Sequence, residues 1–111
     1  MGKSSDLLQG TLDLMILRIL ELRPLHGVAI ADRIEQVTRG VFTVGPGSLF
    51  PALHRLSEKG WIRGEWGETG EGRRRVKVYE LTAAGKKQLR EEKRSWNQIS
   101  GAVNRVLTEE I

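Results

Sequence analysis

Apolar residues recur at helical spacing from the start of the chain. Over residues 8–22, "LQGTLDLMILRILEL", Leu8, Leu12, Met15, Ile16 and Ile19 share one face. Leu7, Leu14 and Leu17 lie on a second, nearly opposite face. A helix apolar on two sides must be covered on two sides. A small domain covers one; the other calls for a partner helix, from this chain or from another copy. Pro24 ends the helix. Ile30, Ile34 and Val37 mark a second helix, closed by Gly40. "VFTV" at 41–44 is β-prone. In "PGSLFPALHRLSEKGW", residues 46–61, Leu49, Ala52, Leu53 and Leu56 line one face of a third helix. The opposite face holds Gly47, Pro51, His54, Arg55 and Glu58, with Ser48 and Phe50 at its edges.

After Gly60 the period changes from helical to two. Residues 61–66 and 75–81 read as strands, and "GETGEGR" at 67–73 as the long, flexible tip of a β-hairpin. Thr82 is a good N-cap for a helix running to about Leu107, roughly 40 Å long. Leu89, Trp96, Ile99, Val103 and Val106 form a narrow stripe on it, with charge elsewhere, as in an association seam. Gly101 weakens the helix locally by ~1 kcal/mol. The order helix, helix, helix, hairpin, long helix predicts a mainly α fold with a small β-hairpin (α+β): a winged helix-turn-helix over residues 1–81 and a dimerisation helix over 82–111. Trp61 and Trp66 are expected to pack the hairpin onto the third helix.

The prolines of the third helix need a reason, because a proline in a helix interior costs ~3 kcal/mol. Pro46 fits the first helical position, where its missing N–H loses no partner. Pro51 has two readings. With Ser48 as N-cap it falls in the first turn and costs little; with the helix starting at Pro46 it lies inside and must kink the helix or free a carbonyl. Either way the outward face is Gly, Ser, Phe, Pro and His rather than Lys and Glu, which suits close approach to DNA. Gly47 and Ser48 would give donors to phosphate or base acceptors, and Phe50 and Pro51 would pack on thymine methyls. The plainer alternative is that Phe50 and Pro51 cap the small core.

Charge sharpens this picture. The formal net charge of the 111-residue chain is +4, a mild excess. Its distribution matters more: Arg73, Arg74, Arg75 and Lys77 fall together, with no acid among them, just after the hairpin tip. As a wing they would reach phosphates; as a plain charge run they would be a solvated turn. With no cysteine there is no disulfide, zinc-thiolate site or cysteine nucleophile. Two histidines make a poor metal case, so no metal and no cofactor are expected; His26 is expected to cap the second helix and His54 to face DNA or water. No nucleophile elbow, phosphate-cradling glycine loop or paired carboxylates are present, so an enzyme is not expected. No apolar run reaches the ~20 residues of a membrane span and no secretory segment opens the chain, so a cytoplasmic protein is expected. Trp96 interrupts an aliphatic stripe. It reads either as a large residue in a dimer seam or as an aromatic platform on which two copies hold a flat apolar ligand.

The segments "LLQGTLDLMILRILELRPLHGVAIADRI", "PGSLFPALHRLSEKGWIRGEWG", "GRRRVKVYELTAAGKKQL" and "SW" resemble the PadR family of transcriptional regulators, over nearly all of Asp6 to Leu107. The single C-terminal helix is similar to the family's compact subgroup. The resemblance implies a homodimeric winged-helix repressor whose C-terminal helix packs against the partner's first helix. The family's G-[ST]-L-Y-P-A-L signature matches Gly47, Ser48, Leu49, Phe50, Pro51, Ala52 and Leu53, with Phe50 in place of tyrosine. Its H-G-Y matches His26, Gly27 and Val28, so neither tyrosine hydroxyl carries over. The wing's R-R-[KR]-Y-Y falls imperfectly on residues 74–79. In drug-binding members a tryptophan of the C-terminal helix lines a pore at the dimer centre; Trp96 matches it, with Leu14 and Ser100 in the same space.

The reading is therefore a sequence-specific regulator of transcription, a repressor dimer on a pseudo-palindromic duplex operator. Its expected DNA contacts are Gly47, Ser48, Phe50, Pro51, His54, Arg55, Arg73, Arg74, Arg75 and Lys77. Leu7, Leu14, Leu17, Leu89, Trp96, Ile99, Val103 and Val106 are the expected dimer interface. A small flat aromatic effector is expected at Trp96, Leu14 and Ser100. The rival reading is a winged helix that serves only protein association.

Overall fold

The computed structural model describes residues 2–68 and 75–109, with side chains from residue 10 onward. The chain runs α1 (Gly2–Leu22), β1 (Leu25–His26), α2 (Gly27–Val37), α3 (Pro46–Glu58), β2 (Ile62–Glu68), β3 (Arg75–Leu81) and α4 (Ala83–Thr108). The four helices and the hairpin stand where the hydrophobic periods put them. Helix α1 stops two residues short of Pro24, whose ring disfavours helical geometry at the residue before it. Leu12, Ile16, Leu17, Ile19 and Leu20 of α1 are buried and meet Ile30 and Ile34 of α2, Leu49, Ala52, Leu53 and Leu56 of α3, Ile62 of β2, Tyr79 of β3 and Leu89 of α4 in one core.

Two apolar faces on α1 therefore need less help from a second molecule than their pattern suggests. The first half of α4 lies back on α1 within the same chain, tied by Lys93 to Glu21 at 3.4 Å. Leu17 and Leu89 are fully buried inside one chain. Both leave the expected dimer interface, because a side chain closed off by its own fold has no surface to offer a partner. The start of α4 likewise belongs to the core. A Cβ on Gly85 would stand 2.0 Å from the carbonyl oxygen of Trp61, so the helix passes the β2 entry closer than any other residue permits.

Three local features differ from the sequence pattern. Leu25 and His26 form a short edge strand paired antiparallel with β3, through Leu25 to Tyr79 and His26 to Val78, so the sheet has three strands in the order β1-β3-β2. Two residues carry too little alternation to announce a strand; the neighbouring β3 edge induces it. Residues 41–44 form no strand and pair with none of the described strands. Phe42 and Val44 pack inward and the Phe42 amide donates to the Thr38 hydroxyl at 3.2 Å. The left-handed turn after α2 falls on Arg39 (φ 54°) as well as Gly40 (φ 79°).

The caps follow the sequence more closely. His26 Nδ1 accepts from the Ala29 amide at 3.3 Å and opens α2. Thr82 accepts from the Gly85 amide at 3.0 Å and opens α4, while its hydroxyl donates to the Gly60 carbonyl at 2.6 Å. Helix α3 ends in a Schellman turn: Gly60 adopts φ 74°, its amide donates to Ser57 and the Trp61 amide donates to Leu56.

Candidate nucleic-acid interface and central cleft

Helix α3 begins at Pro46, with Gly45 as N-cap and no side chain capping that end. This settles the alternative left open by the prolines. Pro51 lies inside the helix, so the carbonyl of Gly47, four residues back, receives no N–H from it. Gly47, Ser48, Phe50, Pro51 and His54 are all exposed on the face opposite the buried leucines. Phe50 is half exposed, and its ring rests on the start of α2: a Cβ on Gly27 would lie 3.3 Å from Phe50 Cε1 and 3.4 Å from Leu53 Cδ1. Gly27 thus sets how closely α2 and α3 cross. His54 stands in the open, 3.1 Å from Glu58 one turn on.

Arg55 departs from the expected DNA contacts. Its Nη2 is 2.8 Å from Asp13 Oδ1 of α1, most of its side chain is covered, and its Nε is buried without a hydrogen-bond partner among the described residues. The guanidinium joins α3 to α1. Burial pushes the Asp13 carboxyl above its ordinary range, against the hydrogen bond and charge of Arg55, which pull it down. A pair separated by 42 positions leaves no mark in local sequence.

The hairpin carries Arg75 and Lys77, both exposed. Arg73 and Arg74, with the rest of the expected tip, lie outside the described residues. Trp61 packs against the core under Lys59, 4.7 Å from its ring. Trp66 does not pack as expected: it is 62% exposed, because β2 has by then run past the helices, and it faces Arg75 and Lys77.

A cleft of about 270 Å³ opens between α1, α2 and α4. Leu14, Met15, Ile19, Ile34, Val37 and Trp96 give it apolar walls, and Arg18, Lys93 and Asn97 stand at its polar side. Leu14 and Trp96 thus line one cleft of the single chain; Ser100 is not among the lining residues. From Trp96 onward, Ile99, Val103 and Val106 are about half exposed or more, and continue the face that Gly85 and Leu89 bury. The Leu7 side chain lies outside the described residues. Among the described residues no group of three or more His, Cys, Asp or Glu side chains is placed to hold a metal, and no helix is long and apolar enough to cross a membrane.

A helix-turn-helix pair (α2 and α3) followed by a two-stranded wing and a long final helix defines a winged helix-turn-helix protein. The family model described as the transcriptional regulator PadR-like family matches residues 16–91. A PadR-like transcriptional regulator of Bacillus cereus superposes with a TM-score of 0.80, at 30% identity over 95% of this chain and 99% of that one. A transcriptional regulator of Clostridium thermocellum gives 0.81, at 26% identity over 91% and 94%. In sequence, the chain is 35% identical over 69 residues to a transcriptional regulator of Mycobacterium tuberculosis, covering 62% of this chain and 63% of that protein. The chain belongs to the PadR-like family of transcriptional regulators, and its activity is regulation through DNA rather than enzyme catalysis.

Proposed function

We propose that the protein is a cytoplasmic homodimeric repressor that sets two copies of α3 in successive major grooves of a pseudo-palindromic operator, about one helical turn (~34 Å) apart. The observation that carries this reading is the apolar face of α4, covered at Leu89 and bare at Trp96, Ile99, Val103 and Val106. A second copy laid on that face would bury it, together with Leu14 and, by its place in the sequence, Leu7. The first turn of α3 supports the DNA half of the reading. Gly47 and Ser48 leave room for a phosphate or base edge, the Gly47 carbonyl lacks its usual helical donor, and Phe50, Pro51 and His54 stand outward. Arg75 and Lys77, with Arg73 and Arg74 next in sequence, supply phosphate contacts, each adding about 0.9 to the salt slope.

The cleft under Trp96 suits a small flat aromatic effector. Its volume is near the lower end for ligand sites, ~300 Å³, and a second copy would enlarge and close it. Such an effector releases the operator only by binding a DNA-incompetent geometry more tightly. Light scattering together with operator selection from random duplexes tests the proposal. A dimer with a palindromic selected site, whose affinity falls by orders of magnitude with salt, is expected. A monomer at micromolar concentration, or a protein indifferent to duplex in dilute buffer, overturns it. Tryptophan quenching by flat aromatic compounds, lost in Trp96→Ala, is the expected sign of the effector site.

A further inference from the structure

One face of the hairpin passes from core to solvent within a few residues. Cross-strand pairing sets Ile62 opposite Leu81, Gly64 opposite Tyr79, Trp66 opposite Lys77 and Glu68 opposite Arg75, and alternation puts all of these on one face. Ile62 and Tyr79 are buried beneath the helices, whereas Trp66, two pairs from Ile62, is 62% exposed. Past the helices this face has nothing of its own chain to cover it among the described residues, and it presents an indole between two cations. The Arg75 guanidinium lies 5.4 Å from the Trp66 ring and the Lys77 ammonium 6.0 Å, while Lys77 also lies 5.9 Å from the Tyr79 ring. Gly64 completes the arrangement. A Cβ there would stand 2.6 Å from Lys77 Cε and 3.2 Å from Lys77 Cγ, so the lysine stem lies flat across the glycine between the two rings. The acid on this face is Glu68, and Glu65 and Glu80 belong to the other face, where Arg63 pairs with both.

We infer that Trp66 is a positioning residue for DNA binding by the wing: its indole holds Arg75 and Lys77 in extended, partly desolvated poses along one line, from which both meet phosphates of the duplex. The inference rests on the DNA-binding reading above. The charge selects the occupant, since two aligned cations preceded in sequence by two more arginines complement a polyanion. The rings explain why the alignment persists: a long cationic side chain free in water loses rotamer freedom on binding, and one already stacked on an aromatic face loses less. The tryptophan, an oddity if read as core, thereby has a use on an open face.

The test uses the full chain and a mixed-sequence duplex of about three helical turns, because phosphate contacts do not require the operator. Trp66→Ala is expected to weaken binding by about fivefold to tenfold at moderate salt and to lower the salt slope by up to about 1.8, the share of two phosphates. Trp66→Phe, which keeps a ring, is expected to restore most of both. In a background of Arg75→Ala with Lys77→Ala, Trp66→Ala is expected to have no further effect, because a positioning residue without its cations has nothing left to position. Unchanged affinity and slope in Trp66→Ala, or losses that add fully to those of the double variant, overturn the inference while leaving the regulator reading intact. A wild-type protein that ignores duplex in dilute buffer overturns both.

Discussion

Gly85 and Gly101 lie on the same helix and answer to different neighbours. A methyl on Gly85 meets the Trp61 carbonyl oxygen at 2.0 Å and Leu81 Cδ1 at 2.7 Å, and neither a backbone oxygen nor a packed leucine can withdraw cheaply. Gly85→Ala is expected to destabilise the protein by about 3 kcal/mol or more in urea denaturation, despite the gain in helix propensity. Gly101 points away from the apolar stripe and has only the tip of Arg105 at 3.8 Å, so Gly101→Ala is expected to add about 1 kcal/mol. Arg55 is the residue whose role the structure changes most. Because its partner Asp13 would be left partly buried and alone, Arg55→Ala is expected to cost about 2 kcal/mol of stability, a loss seen without any DNA present. Asp13 also sets a pH dependence. Its folded carboxyl titrates above the ordinary 3.8, so the folded state binds more protons than the unfolded one just above that value. This group's favourable contribution is complete below its ordinary value and is lost as pH rises through the folded one. Asp13→Asn is expected to remove that fall from the stability–pH profile. Glu21, held below its ordinary 4.5 chiefly by the Arg18 hydrogen bond, slopes the other way and is lost as pH drops.

At the scale of elements, α3 trades stability for an outward face. Pro51 forgoes one helical hydrogen bond in a helix of 13 residues. Pro51→Ala is expected to raise the denaturation midpoint by the equivalent of about 1–3 kcal/mol while weakening operator binding, measured on the same preparation by urea titration and gel shift. The helices were legible in the sequence because periodic apolar positions and their caps are local: Ile30 and Ile34, the leucines of α3, His26, Gly60 and Thr82 all act within a turn of where they stand. The short strand β1 was not legible, since its only reason to be extended is the edge of β3 some fifty residues away. Residues 41–44 show the converse: β-prone residues that pair with none of the described strands stay a loop.

For the whole molecule, the outline is elongated, 60 × 29 × 27 Å, with a final helix of 26 residues, ~39 Å long, whose second half carries bare apolar side chains. Val103→Glu is expected to weaken self-association at least 100-fold, the scale of leaving one carboxylate unpaired in an apolar seam. Sedimentation or light scattering across a dilution series measures it, with the helical circular dichroism unchanged because Val103 is about half exposed and is not one of the buried core residues. The sequence alone determined the order of the four helices and the hairpin, the buried faces of α2 and α3, the caps of α2 and α4 at His26 and Thr82 and the basic charge of the hairpin, because hydrophobic period, turn chemistry and charge are written in neighbouring residues. The tertiary structure alone decided that Leu17 and Leu89 are spent inside one chain, that Arg55 pairs with Asp13, and that Trp66 stands open beside two cations. Those outcomes depend on which distant elements come to lie together and where the helices stop covering the sheet, and no local pattern encodes that distance.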